Sequence, residues 1–316
     1  MSRGLEAAGF EVAAGAELDP DACETFAKAH PAAEVISGDV NDLPFPEWSS
    51  RIDVLVGGPP CQPWSTGGKR LGPADPRDGW PAFLKALRQI GPQAFIAENV
   101  AGFAGGARAS HFHELVRQLE DELGFKVAGK VLNAADYGVP QRRLRLFIVG
   151  TRTGRFRFPE ATHGPEAGSP WRAAGEFIGK DPVGVANSSI VTYARQPDLR
   201  PNPYDGHVYN GGGRPIDLTR PAPTLLASMG GNKTPWIDTH GVVPEYHAHL
   251  MAGGAPRTGR VQGARRITVE EAAILQTFPP GTHVAGRRSS CYRQIGNAVP
   301  PLLAQAIGTE LLAQLQ

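Results

Sequence analysis

Short apolar runs alternate with helical periodicities through the first 150 residues. Runs at Glu11–Glu17, Ile52–Gly57, Gln93–Glu98, Lys126–Leu132 and Leu146–Gly150 predict strands. Between them, segments near Pro20–His30, Trp80–Ile90 and Ser110–Leu123 carry apolar side chains at helical spacing. This alternation predicts an α/β fold built on a parallel, doubly wound sheet. After about Phe158 the texture changes. Residues 158–266 are rich in Gly, Pro, Asn and His, with brief apolar runs and no long periodic segment, which predicts a smaller, irregular, mostly β or loop domain. Amphipathic helices are predicted again over Val269–Thr277 and Pro301–Leu315. The expected division is one domain from residues 1–157 with 267–316 and a second from 158–266.

Composition narrows the class. The 316 residues, 41% apolar and 20% charged, suffice for a sizeable core and exclude wholesale disorder. The 39 glycines and 29 prolines have no period, so they read as loops in a globule. No apolar run reaches the roughly 18 residues that span a bilayer, and the opening residues lack a secretory stretch. Cys23, Cys61 and Cys291 are too few for a disulfide framework or a zinc site, so a reducing cytoplasm is the expected compartment. The His-x-His pairs at His111/His113 and His247/His249 lack a third ligand at sensible spacing, and no metal is expected.

A net charge of +1 conceals a polarity. In the first fifty residues Arg3 and Lys28 face ten acids, a balance of −8, so the remainder carries +9. Only seven of the 32 bases are lysines. Codon bias in a GC-rich genome explains that excess of arginine. So does recognition of phosphate and guanine by the guanidinium fork, and both readings stay open.

In a doubly wound sheet, ligands bind beyond the carboxyl ends of the strands. Glu17, Cys61 and Glu98 fall at or just past such predicted ends, and Asp39 follows the short apolar run Val35–Ile36. A cysteine is most often a small buried apolar side chain. Cys61, however, sits in GGPPCQPWS, where flanking prolines stiffen the turn and present the thiol at low entropic cost. A nucleophilic thiolate also needs positive potential, which Arg142, Arg143 and Arg145 can supply.

The blocks GGPPCQPWS, AENV, YGVPQRRLRLFIVG, RPAPTLLASMGG and RQIGNAVPPLLAQAIG resemble, in order and spacing, those of the 5-cytosine DNA methyltransferases. The resemblance covers the chain apart from its middle. It implies a Rossmann-like S-adenosylmethionine-dependent sheet, with residues 158–266 as target-recognition domain. Cys61 would attack C6 of cytosine, Glu98 would contact N3 and the exocyclic amine of the flipped base, and Arg145, supported by Arg143, would orient that base. The cofactor the resemblance implies is S-adenosylmethionine. Glu17 would accept from its ribose and Asp39, with Val40 beside it, from its adenine amine. Leu18 stands where some members place an aromatic, which keeps an apolar contact but loses stacking. Pro60, Asn297 and Val299 would surround the methionine end. The family opens with a strand and a glycine-rich loop, whereas Met1–Phe10 match the helix after that loop, so a late-assigned start or a truncated gene is expected.

Double-stranded DNA is the implied partner. Gln62, Ser65 and the stretch Thr66–Gly79 would close over the flipped base, and Thr224 would approach the DNA backbone. Arg257, Arg260, Arg265 and Arg266 lie in an acid-free stretch suited to phosphate contacts. The expected setting is a monomer on the bacterial nucleoid, paired with a restriction endonuclease that reads the same site. Two alternatives stand beside this reading. One is an RNA cytosine-5 methyltransferase, although the Cys-Phe-Thr signature of the family's tRNA-acting branch is missing. The other is a catalytically silent DNA-binding protein without its cofactor loop.

Overall fold

The computed structural model describes residues 1–60, 78–106 and 109–316. Two compact units divide the chain: residues 1–133 with 144–160 and 304–316, and residues 134–143 with 161–303.

In the first unit, α1 (Ser2–Ala7) precedes the parallel strands β1 (Ala14–Glu17) and β2 (Glu34–Ser37), joined by α2 (Pro20–Ala29). Asp19 caps α2 by accepting from the Asp21 N–H, and Pro20 occupies the first helical position, where no donor is lost. A Cβ at Gly15 would be driven into the Phe26 ring, so glycine is what lets α2 lie close on β1. The chain continues through β3 (Val54–Gly57), α3 (Trp80–Ile90), β4 (Ala94–Val100), α4 (Ala109–Arg117), β5 (Lys126–Asn133) and β6 (Leu144–Thr151). α3 has its predicted limits because Gly91, at φ 67°, closes it in the left-handed region. The helix predicted over Ser110–Leu123 widens into a π turn at Gln118–Glu122.

These last four strands form a sheet in the order β3-β4-β6-β5. β3 and β4 run parallel, but β6 is antiparallel to both of its neighbours, so the sheet is mixed and not wholly parallel. The reason lies in the connections. β3 to β4 crosses over through α3, whereas only residues 134–143, with no α-helix, link β5 to β6. Ala94–Ala97 in β4 are all within 1% of complete burial, which accounts for an apolar run without alternation. Trp80, Phe83 and Leu87 of α3 pack with Phe95, Phe103, Phe125 and Ile148. Gly150 sits where a Cβ would enter the Phe95 ring. Gly150→Ala is expected to destabilise the protein by about 1–3 kcal/mol through overpacking, read as a lower denaturation midpoint with an unchanged m-value.

The second unit contains two antiparallel pairs, β7 (Tyr193–Asp198) with β8 (His207–Tyr209) and β9 (Trp236–Asp238) with β10 (Ala264–Arg266). Between β9 and β10 lies α5 (Val242–Met251), a ten-residue helix in a region predicted to have no long periodic segment. Its stripe is short: Val243, Tyr246 and Leu250 are buried, while Pro244 occupies the first turn, where it is tolerated. α6 (Val269–Leu275) and α7 (Arg288–Asn297) follow. Residues 267–303 cluster with this unit because Leu275, Tyr292 and Ile295 pack with Ile216, Leu225 and Ile237. α8 (Pro301–Leu315) begins here, and its residues from Ala304 onward belong to the first unit, where Gly308 packs against Leu5 and Ala8. No helix among the described residues is long and apolar enough to cross a membrane.

Candidate active site

Within the first unit, the β4–β6 register sets Glu98 opposite Phe147 and Val100 opposite Arg145. Glu98 and Arg145 therefore share one face of the sheet, a diagonal step apart. The step is closed by an ion pair, Arg145 Nε to Glu98 Oε1 at 2.8 Å, with both side chains mostly but not wholly covered. Arg145 Nη1 also donates to the Leu144 carbonyl at 2.8 Å. Glu98 was predicted to close its strand; instead β4 continues two residues further, to Val100, because β6 pairs with it throughout.

The turn after β3 lies beside this pair. A Cβ at Gly58 would stand 3.5 Å from Glu98 Oε2, so the backbone passes the carboxylate at van der Waals range. The buried Asn99 donates from Nδ2 to the Pro59 carbonyl at 2.9 Å, and the Pro60 carbonyl accepts from the Gly79 N–H at 3.0 Å. The Pro59–Pro60 turn is thus tied down immediately before Cys61. Cys61, Gln62 and Ser65 lie outside the described residues. Asn99 was not singled out from the sequence; its only signal was one amide at the end of an apolar run.

A second group forms at β1 and β2. Glu17 is directly opposite Ser37, which brings Asp39 to the same end of the pair. Glu17 Oε1 accepts from the Leu18 and Asp19 N–H groups at 2.8 and 3.1 Å. Asp39 Oδ1 accepts from Asn41 N and Nδ2 at 2.9 and 2.8 Å. Each exposed carboxylate thus commits one oxygen to its own loop and leaves the other without a partner among the described residues. Beside them, Leu18 and Val40 are 67% and 37% exposed, a costly position for large apolar side chains. Two free acceptors flanked by two uncovered apolar groups match an adenosine, which offers hydroxyl and amine donors around an apolar ring.

The second unit holds Arg143, which is 1% exposed. Its Nη1 donates to the Leu225 carbonyl at 3.1 Å and its Nη2 to the Gly296 carbonyl at 2.8 Å. The guanidinium expected to support base orientation is committed to holding backbone. Gln141, fully buried and not singled out from the sequence, adds to this clamp: its Oε1 accepts from Leu225 N at 3.0 Å and its Nε2 donates to the Leu275 carbonyl at 3.4 Å. Thr224 Oγ1 donates to the Arg142 carbonyl at 2.7 Å. Asn297 ends α7 exposed, and Val299 is buried in the turn that follows.

The acid-free basic stretch behaves differently from its expectation. Arg266 is 1% exposed, with Nη1 donating to the Thr234 carbonyl and Nη2 to the Ile190 carbonyl, and burial pushes it down to about 10. Arg265 pairs with the fully buried Glu271 and donates to carbonyls of residues 179–181. Arg257 is bidentate to Glu245. The acid-free window hides this, because Glu245 and Glu271 stand just outside it and most of the carbonyls come from distant segments. Of the four, Arg260 alone is exposed without an ion pair among the described residues.

The profile of the C-5 cytosine-specific DNA methylase family matches residues 1–313. The chain belongs to that family. The Type II methyltransferase M1.HphI of Haemophilus parahaemolyticus is 33% identical over 328 residues, covering 99% of this chain and 83% of that protein. M.AplI of Arthrospira platensis, also a Type II methyltransferase, is 33% identical over 328 residues, covering 100% and 83%. The solved structure of the S. pombe Dnmt2 methyltransferase superposes with a TM-score of 0.71 at 15% identity, over 100% of this chain and 96% of that one, a likeness of fold. As a DNA cytosine-5 methyltransferase the chain uses S-adenosylmethionine, whose adenosine fits the two carboxylate acceptors at Glu17 and Asp39 with the exposed Leu18 and Val40 beside them.

Proposed function

We propose that this methylase acts through a covalent adduct between Cys61 and C6 of a cytosine rotated out of duplex DNA. The Glu98–Arg145 pair carries the reading: a carboxylate held at 2.8 Å by a guanidinium, beside the turn that leads into Cys61. Cytosine C5 is a poor nucleophile until a thiolate adds at C6, and covalent addition divides that difficulty into two steps. Duplex stacking hides C6, so the base must be flipped. Glu98 holds the N3 edge and the exocyclic amine as charge develops on the ring, and Arg145 fixes the carboxylate's orientation. S-adenosylmethionine supplies the methyl group. Loss of the C5 proton and of the Cys61 thiolate then restores aromaticity.

Glu17 and Asp39 take the ribose and adenine donors, with Leu18 and Val40 against the ring, while Pro60, Asn297 and Val299 serve the methionine end. Residues 158–266 read the target, with Thr224 and Arg260 at the DNA backbone. Arg143 acts as a positioning residue. The Type II names of the relatives support a restriction endonuclease of the same specificity as partner, in the bacterial cytoplasm.

Labelled S-adenosylmethionine incubated with the full chain and with genomic DNA or total RNA tests the substrate. After digestion to nucleosides, label is expected in 5-methyldeoxycytidine; label only in RNA, or on an exocyclic nitrogen, refutes the proposal. Glu98→Gln keeps the shape of the side chain but removes its charge. Single-turnover methylation is expected to slow by about 10²–10³-fold, with DNA affinity nearly unchanged; a rate within twofold of wild type would remove Glu98 from the site.

A further inference from the structure

The second unit contains a cleft of about 230 Å³ lined by Gly230, Gly231, Arg287, Arg288, Ser289 and Tyr292. Tyr292 is fully buried, and its hydroxyl donates to the Ile267 carbonyl. The remaining lining brings two guanidinium groups, a hydroxyl and glycine backbone, with no carboxylate among them.

The two arginines differ from five others in this unit. Arg172, Arg200, Arg220, Arg257 and Arg265 are each neutralised by a carboxylate. Arg287 and Arg288 are exposed, consecutive, and without an ion pair among the described residues. Two like charges at one cleft repel each other, and an anion seated between them removes that cost. Guanidinium forks suit phosphate oxygens through paired N–H donors. Glycines at positions 230 and 231 keep the facing wall free of side chains, and a Cβ at either would meet nothing within 4 Å.

We infer that this cleft holds a phosphodiester of the DNA backbone. The inference rests on the DNA methyltransferase reading and adds a phosphate-contact site to it. The site takes over the role that Arg257, Arg265 and Arg266 were expected to fill, beside Arg260. Such a contact sets the position of the enzyme on the duplex and carries no sequence information.

The test compares the wild-type chain with Arg287→Gln/Arg288→Gln on a random-sequence duplex pool, by fluorescence anisotropy across a salt series. Each neutralised phosphate contributes about 0.9 to the slope of log K against log salt. The double variant, which gives up one phosphate, is therefore expected to lose about 0.9 from that slope. Its KM for genomic DNA should rise while kcat at saturating DNA and the KM for S-adenosylmethionine hold. Arg287→Lys/Arg288→Lys, which keeps the charge, should retain the wild-type slope and shows that any loss is not misfolding. An unchanged slope in the glutamine variant, with the wild type methylating DNA normally, overturns this site alone. A wild type that neither binds nor methylates DNA overturns the underlying reading.

Discussion

Cys61→Ser is expected to lower methyl transfer to duplex DNA by about 10⁴-fold or more, in the range seen when an enzyme loses its nucleophile. A cysteine is partly thiolate near neutral pH and is intrinsically very nucleophilic, whereas a serine hydroxyl is a weak nucleophile unless a base activates it. The barrier would rise by about 5.5 kcal/mol or more, with DNA affinity little changed. Duplex DNA carrying 5-fluorocytosine separates the adduct from other routes. After addition of Cys61 and methylation, C5 has no proton to lose, so the wild-type enzyme stays covalently attached and migrates as a protein–DNA species on a denaturing gel. The serine variant should leave no such species. Trapping by Cys61→Ser at the wild-type level would show that another residue attacks C6.

The second large effect concerns stability. Arg143→Ala is expected to destabilise the second unit by about 3–5 kcal/mol, the scale of removing one partner from a buried charged network. Arg143 is 1% exposed and bridges the carbonyls of Leu225 and Gly296, which approach it from segments far apart in sequence. Its removal leaves two buried acceptors unpaired and a void the size of a guanidinium. The same clamp holds the backbone around Leu225 close to α7: a Cβ at Gly296 would collide with the Leu226–Ala227 backbone, so that chain cannot shift to fill the gap. Chemical denaturation should show the loss, and limited proteolysis should nick residues 161–303 first. Arg143→Lys recovers little, because one ammonium is a compact charge and lacks the spread of the fork. A variant within 0.5 kcal/mol of wild type would show that the two hydrogen bonds contribute nothing. Arg145→Gln provides the contrast: it should lower turnover with a much smaller change in stability, since its pair with Glu98 is partly open to solvent.

That contrast separates two arginines which stand two residues apart and look alike in sequence. Periodicity placed the main elements of the first unit well, because α3 and β4 have uniform environments: a helix face on one core and a strand buried on both sides. It missed α5, where only Val243, Tyr246 and Leu250 mark the buried face. Strand direction was also out of reach for β6, since a run of apolar residues is the same read in either sense.

The candidates Glu17, Asp39, Cys61, Glu98 and Arg145 came from the order and spacing of short motifs, where the proposed chemistry calls for particular groups at turns and strand ends. Tertiary structure alone decided which charges remain available. Glu245 and Glu271 neutralise Arg257 and Arg265, backbone carbonyls engage Arg143 and Arg266, and Arg287 and Arg288 line an open cleft without an ion pair among the described residues. A local pattern specifies the backbone path and its covalent neighbours. Whether a guanidinium meets a carbonyl, a carboxylate or solvent depends on segments brought together only by folding, and burial makes that difference large.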